Sequence, residues 1–153
     1  MKQPLSMLVV LFFLLSVSVT VAAQDFESLL EKAKNTVTAK SPTLELVSKR
    51  QERENEVVYQ WNSSAGGVRL LVFFGASEQE ATEKMRFSLK ILSMGSGERV
   101  SDIGDEAYLA KNDVTGRGIV RFRKSNVYID LGAPSVSLAK DLAKSLANLI
   151  EGQ

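Results

Sequence analysis

Apolar and polar positions change rhythm several times along this chain, and each rhythm names an element. Phe26, Leu29, Leu30, Ala33 and Val37 recur at the spacing of one helical face. Asp25 is suited to cap that helix and Ser41-Pro42 to end it, while Glu27 and Glu31 early and Lys32, Lys34 and Lys40 late complement its dipole. The period then drops to two. Thr43 to Gln51 and Glu56 to Asn62 alternate on either side of the charged turn Glu52-Arg53-Glu54-Asn55, which predicts a hairpin. Within its second strand Val57, Tyr59 and Trp61 share one face, and Val58, Gln60 and Asn62 share the other. After the loose turn Ser63 to Gly67, Val68 to Phe74 is apolar on both faces, as expected of a central strand covered on both sides.

Ser77-x-x-Glu80 is a capping box, opening a helix whose buried stripe is Ala81, Met85, Leu89 and Leu92, with Gly95 as its stop. Met94 to Asp105 is a long Gly- and Ser-rich connection. Beyond it Glu106 to Lys111, Arg117 to Arg123 and Val127 to Leu131 read as strands. Ser135 to Ile150 reads as a helix with Leu138, Leu142, Leu146 and Leu149 on one face and Gly152 as its stop. Helix, three strands, helix, three strands, helix is the order of an α+β fold, a two-layer sandwich of one antiparallel sheet with helices packed on one face. Sliding the first strand-to-helix unit onto the second places Gly75 on Gly132, Ala76 on Ala133, Met85 on Leu142 and Leu89 on Leu146. Duplication would produce that alignment, and so would any two strand-to-helix units with these periods.

The segment before the first helix has a different composition. Lys2 precedes an apolar run from Leu5 to Leu15, small residues follow, and Val21-Ala22-Ala23 has the form of a cleavage site. These are the parts of a secretory signal. The expectation is a signal peptide over residues 1–23, an exported domain over residues 24–153 and a periplasmic or extracellular location, without stable membrane insertion after cleavage. If the leader is retained, Leu5 to Ala23 would serve as an anchor. Loss of Lys2 leaves the mature chain formally neutral, which argues against nucleic acid as a partner.

The chain has no histidine and no cysteine. That removes the commonest general base, thiolate nucleophiles, disulfides and His- or Cys-ligated metals, and no cofactor or metal is expected. Ser137-Leu138-Ala139-Lys140 matches the Ser-x-x-Lys of penicillin-binding proteins, but the Lys-Thr-Gly and Ser-Asp-Asn partners are missing. Asp105, Glu106 and Asp130 are the acids nearest to converging, as a carboxylate-dependent hydrolase would require. Asp105 after Gly104 also suits a turn acceptor, and Asp130 an outward position between Ile129 and Leu131. The densest charge is Arg117, Arg121 and Arg123 on one strand face with Lys124 at its end. This set would suit a small anionic ligand or an acidic partner, or else a solvated face or protected edge. Tyr59 and Trp61 suit either a ligand groove or the core.

Gly104-Asp105-Glu106-Ala107-Tyr108, followed by Arg123-Lys124-Ser125-Asn126-Val127 and a terminal amphipathic helix, resembles a pattern of small bacterial exported domains of uncharacterised function. Some of these are similar to the α/β sandwich of the PsbP-like group. Their turn usually reads Arg-Lys-Gly-Asn or Arg-Lys-Gly-Asp, and here Ser125 replaces the glycine. The resemblance implies a non-catalytic exported module and transfers no functional residue. The expected function is therefore an exported binding or protein-interaction module that meets an unknown protein or small anionic ligand through the outer sheet face or the Met94 to Asp105 loop. The alternatives are a small hydrolase built on Asp105, Glu106 and Asp130, or an anchored sensor or stress protein.

Overall fold

The computed structural model describes residues 25–91 and 97–150. The leader over residues 1–23, the start at Gln24, Leu92 on the second stripe and the stops at Gly95 and Gly152 lie outside the described residues. The first helix, α1, spans 25–40, and its five stripe residues are all buried. The strands β1 (Glu45–Arg53), β2 (Glu56–Ser63) and β3 (Gly66–Phe74) follow as an antiparallel meander. Next come α2 (Glu78–Ile91), the short β4 (Glu98–Val100), then β5 (Glu106–Lys111), β6 (Gly118–Lys124), β7 (Val127–Ala133) and α3 (Val136–Ile150). The strands form one seven-stranded antiparallel sheet in the order β1-β2-β3-β7-β6-β5-β4. This is the α+β class and the helix and strand order that the periodicity predicts, with β4 as a short extra strand inside the Met94 to Asp105 connection.

Both caps form as written in the sequence. The Glu80 amide donates to Ser77 Oγ at 3.2 Å and the Ala76 amide to Glu80 Oε2 at 2.7 Å, while Ser135 caps α3 by accepting from the Leu138 amide at 3.2 Å. The charged turn between β1 and β2 tightens to Glu54-Asn55, because the strand pairing continues past Gln51 to Arg53 and Glu56; the Asn55 side chain donates to the Phe74 carbonyl of β3 at 3.0 Å.

Helix placement corrects the expectation of helices on one face. Alternate residues of the central strands divide the core in two. Tyr59, Trp61, Val68, Leu70, Val72, Val120, Phe122, Ile129 and Leu131 pack with α1 and α3. Val58, Leu71, Phe73 and Tyr128 pack with Ala81 and Met85 of α2 on the opposite face. The cause is the double-sided apolar pattern of β3, since Leu71 and Phe73 need a cover that α1 and α3 cannot provide. The same placement bears on duplication. A two-fold axis that superposes antiparallel β3 on β7 must stand perpendicular to the sheet, and it would put α2 and α3 on the same face. They lie on opposite faces, so the matched positions reflect shared periodicity.

The edges of the sheet are β1 and β4. β1 is exposed along its whole length, and its charged residues and two register breaks, between Leu46 and Ser48 and between Gln51 and Arg53, discourage pairing with another strand. Edge protection thus belongs to β1, and the arginines of β6 lie on an interior strand.

The segment that carries the family resemblance is a structural latch. Gly104 has φ +58, and a Cβ there would lie 2.6 Å from the Arg123 carbonyl oxygen, so only glycine fits. The Asp105 amide donates to that same carbonyl at 2.9 Å, and the Asp105 carboxylate accepts from the Ser125 amide at 2.7 Å and from Arg123 Nη1 at 3.0 Å. Asn126 ties this corner to the junction of β3 and α2 through reciprocal bonds of 2.8 Å with Gly75. Ser125, with φ 51, is the single non-glycine residue at positive φ among those described. Ser125→Gly keeps the amide that Asp105 holds and relieves the left-handed strain. It is expected to stabilise the fold by about 0.5–1 kcal/mol, the residue of a larger strain offset by the greater chain freedom of glycine when unfolded. A urea midpoint that falls in this variant would show that position 125 carries no such strain.

A candidate ligand cleft beside α2

β6 places Arg121 and Arg123 on the α2 face, away from Val120 and Phe122. Their side chains are only 7% and 9% exposed, so they do not form the solvated basic surface that the sequence suggests. Arg121 Nε meets Asp130 Oδ2 at 3.4 Å, across a register in which Arg121 and Asp130 are direct partners. Arg123 Nη1 meets Asp105 Oδ2 at 3.0 Å and Glu78 Oε1 at 2.9 Å, and it also donates to the Ser125 carbonyl. A buried guanidinium needs this compensation. Arg117 precedes the strand and donates from Nη2 to the Gly67 carbonyl at 2.9 Å. Lys124, at the end of β6, is half-buried.

The acids singled out in the sequence are not gathered into one constellation. Asp105 is bound into the latch, Glu106 accepts from the Tyr108 hydroxyl at 3.0 Å, and Asp130 belongs to Arg121. Asp130 points away from the α1 and α3 core as expected, but it is covered from the α2 side and buried. Ser137 is exposed in the first turn of α3 and Lys140 is half-buried. Tyr59 and Trp61 are core residues, stacked with ring centroids 5.6 Å apart. Among the described residues no group of three acids is placed to hold a metal ion.

What the fold does build on this face is a cleft of about 300 Å³ between α2 and the strands β3 and β7. It is lined by Arg69, Leu71, Lys84, Phe87, Ser88, Ile91 and Asp130, and its size is at the lower end of the range of about 300–1,000 Å³ in which small molecules are held. The helix stripe that anchors α2 is Ala81 and Met85. Phe87 and Ile91, one turn apart, fall beside this stripe and stand 61% and 57% exposed as an apolar lip. On the sheet side, alternation puts Leu71 and Arg69 on the same face.

The floor is polar and mostly neutralised. Lys84 Nζ meets Glu56 Oε2 at 2.6 Å with both side chains largely buried, and Asp130 is paired with Arg121. Tyr128 lies beside Ser88 and Asp130; burial chiefly, and the Asp130 charge next, push its phenol well above the ordinary range. Its hydroxyl is buried, with the Ser88 side chain as its hydrogen-bonding neighbour.

A broader depression of about 510 Å³ lies between Gly97 and Glu98 on one side and Leu109 to Val114 on the other. It includes part of the Met94 to Asp105 connection, and its lining is strand-end and loop residues without a buried charge.

Sequence reasoning missed Arg69, Lys84, Phe87 and Ile91. Two signals mark them: Arg69 is the one charge inside the apolar run Val68 to Phe74, and Phe87 is a large apolar residue off the buried stripe of its helix.

No protein-family model matches this chain, and neither does any curated protein. A solved structure of a GTP-binding regulator from Thermotoga maritima is similar over 80% of this chain and 87% of that one, with 16% identity and a TM-score of 0.49. A likeness at that level carries no argument about function. No helix among the described residues is long and apolar enough to cross a membrane.

Proposed function

We propose that this chain is an exported, non-catalytic binding module and that the α2 cleft is its contact site. The observation that carries the reading is the contrast between lip and floor. Two large apolar side chains, Phe87 and Ile91, stand in solvent at the lip of a cleft whose polar lining includes Lys84 and Asp130, each held in an ion pair. Neither side chain is needed to hold α2, whose anchors are Ala81 and Met85. Exposed apolar surface rimmed by polar groups is the usual mark of a contact site. The absence of histidine and cysteine from the sequence supports a non-catalytic role, as does the engagement of Asp105 and Asp130 by different arginines. Export rests on the form of residues 1–23.

The test uses the protein purified from the extracytoplasmic fraction, where N-terminal sequencing should begin at Gln24. That protein should enhance the fluorescence of anilinonaphthalene sulfonate, an apolar anion. Combined Phe87→Ser and Ile91→Ser should weaken dye binding about tenfold, a loss of about 1.4 kcal/mol of contact, while the circular dichroism stays unchanged. Equal dye binding by the variant would remove the cleft from consideration, and an intact residue 1 on the mature protein would remove export by cleavage.

A further inference from the structure

The charges around the cleft do not cancel. Glu56 is paired with Lys84 and Asp130 with Arg121, so of the charged residues lining the cleft Arg69 is left over, and Arg117 lies beyond the lining, near Gly132. Among the described residues neither arginine forms an ion pair. Arg69 is exposed, and Arg117 donates only to the neutral Gly67 carbonyl, which leaves its charge uncompensated.

Both arginines neighbour one glycine, Arg69 through its backbone and Arg117 through its side chain. Arg69 is the direct cross-strand partner of Gly132 in the pairing of β3 with β7. A Cβ built at position 132 would lie 3.8 Å from Arg117 Nη2, with no other contact within 4 Å. Gly132 has no positive φ that would demand glycine. The missing side chain therefore leaves a seat in the sheet face beside the Arg117 guanidinium and across the strand pair from Arg69, on the same face as the buried Asp130 and Leu71.

We propose that this seat holds the carboxylate of a small alkyl acid whose chain lies against Leu71, Phe87 and Ile91. The assignment rests on the reading of the α2 cleft as the binding site. Arginine forks match planar carboxylates, and the lip offers aliphatic and phenyl surface to a flexible chain. The volume of about 300 Å³ suits a small ligand. The expected small anionic ligand is thus met at Arg69 and Arg117, one of the arginines singled out in the sequence, while Arg121 and Arg123 are occupied in buried pairs.

The probes are octanoate, octyl phosphate and octanol, titrated into the exported protein by calorimetry and followed by amide chemical shifts. Octanoate should bind at least about tenfold more tightly than octanol, shifting the amides of Arg69, Gly132 and Phe87. Arg69→Gln should reduce that affinity about tenfold by removing one charge-assisted contact. Gly132→Val should block the seat with little change in thermal stability, because a branched residue suits an extended strand and only the flexible end of Arg117 lies within 4 Å of its Cβ. Equal binding of octanol and octanoate, unaffected by both variants, would overturn the carboxylate seat and leave the cleft standing. Binding of octyl phosphate alone would overturn the carboxylate assignment. Silence at the cleft amides with all three probes would overturn the cleft itself.

Discussion

Trp61→Ala is expected to destabilise the protein by about 3–5 kcal/mol, the cost of removing a large aromatic side chain from a packed core. Trp61 is fully buried on the face covered by α1 and α3, stacked on Tyr59, and lies directly across β2–β3 from Val68. Its core is shared by the sheet and the α1 and α3 helices, which cannot all collapse into the space it leaves. Trp61→Phe is a useful companion, because the indole Nε1 makes no hydrogen bond in the fold. Phenylalanine should therefore cost clearly less than alanine, since it loses volume and sacrifices no polar contact. Urea unfolding followed by far-ultraviolet circular dichroism would measure both, as the chain has one tryptophan and its fluorescence is lost in each variant. Equal costs for the two variants would mean that the indole nitrogen has a partner that matters.

Asp105→Ala should cost about 2–3 kcal/mol, in the range for losing bonds to a charged group whose partner stays buried. Asp105 links three pieces of chain: the Gly104 turn, the Arg123 guanidinium and the Ser125 amide. Glu78 also meets Arg123 but is 67% exposed and comes from another element, so it offsets only part of the loss. Asp105→Asn keeps an acceptor for the Ser125 amide and should fall between wild type and alanine. A loss below about 1 kcal/mol for alanine, the value of an ordinary exposed pair, would show that Glu78 alone satisfies Arg123. This experiment also bears on the hydrolase alternative, because a latch residue changes stability, whereas a carboxylate acting on substrate changes rate at constant stability.

Reversing Arg121 and Arg123 to glutamate, the obvious test of a basic strand face, is a poor probe of binding. It would set acids against Asp130, Asp105 and Glu78 inside the fold and report instability first. Arg69 and Gly132 are the better positions, since one is exposed and a side chain at the other would meet only the end of the Arg117 side chain within 4 Å.

Local physics settled most of the elements in this chain. Stripe spacing placed α1, α2 and α3, since a helix must bury one face and its apolar residues repeat accordingly. Period-two alternation placed the long strands, and the Ser77 and Ser135 hydroxyls started their helices, because these signals act within a few residues of each other. Even the latch was partly visible, in Gly104-Asp105 as a turn. Only the tertiary structure decided which way each face points and what meets it. Period two cannot separate a wet face from one covered by a distant helix, so Arg121, Arg123 and Asp130 read as outward while α2 in fact closes over them. Whether a charge is free depends on partners remote in the chain: Arg117 and Gly67, Arg69 and Gly132, Arg123 and Glu78 are neighbours only because β3 pairs with β7 and α2 crosses the sheet. The cleft arises from that packing, and no local pattern could specify it.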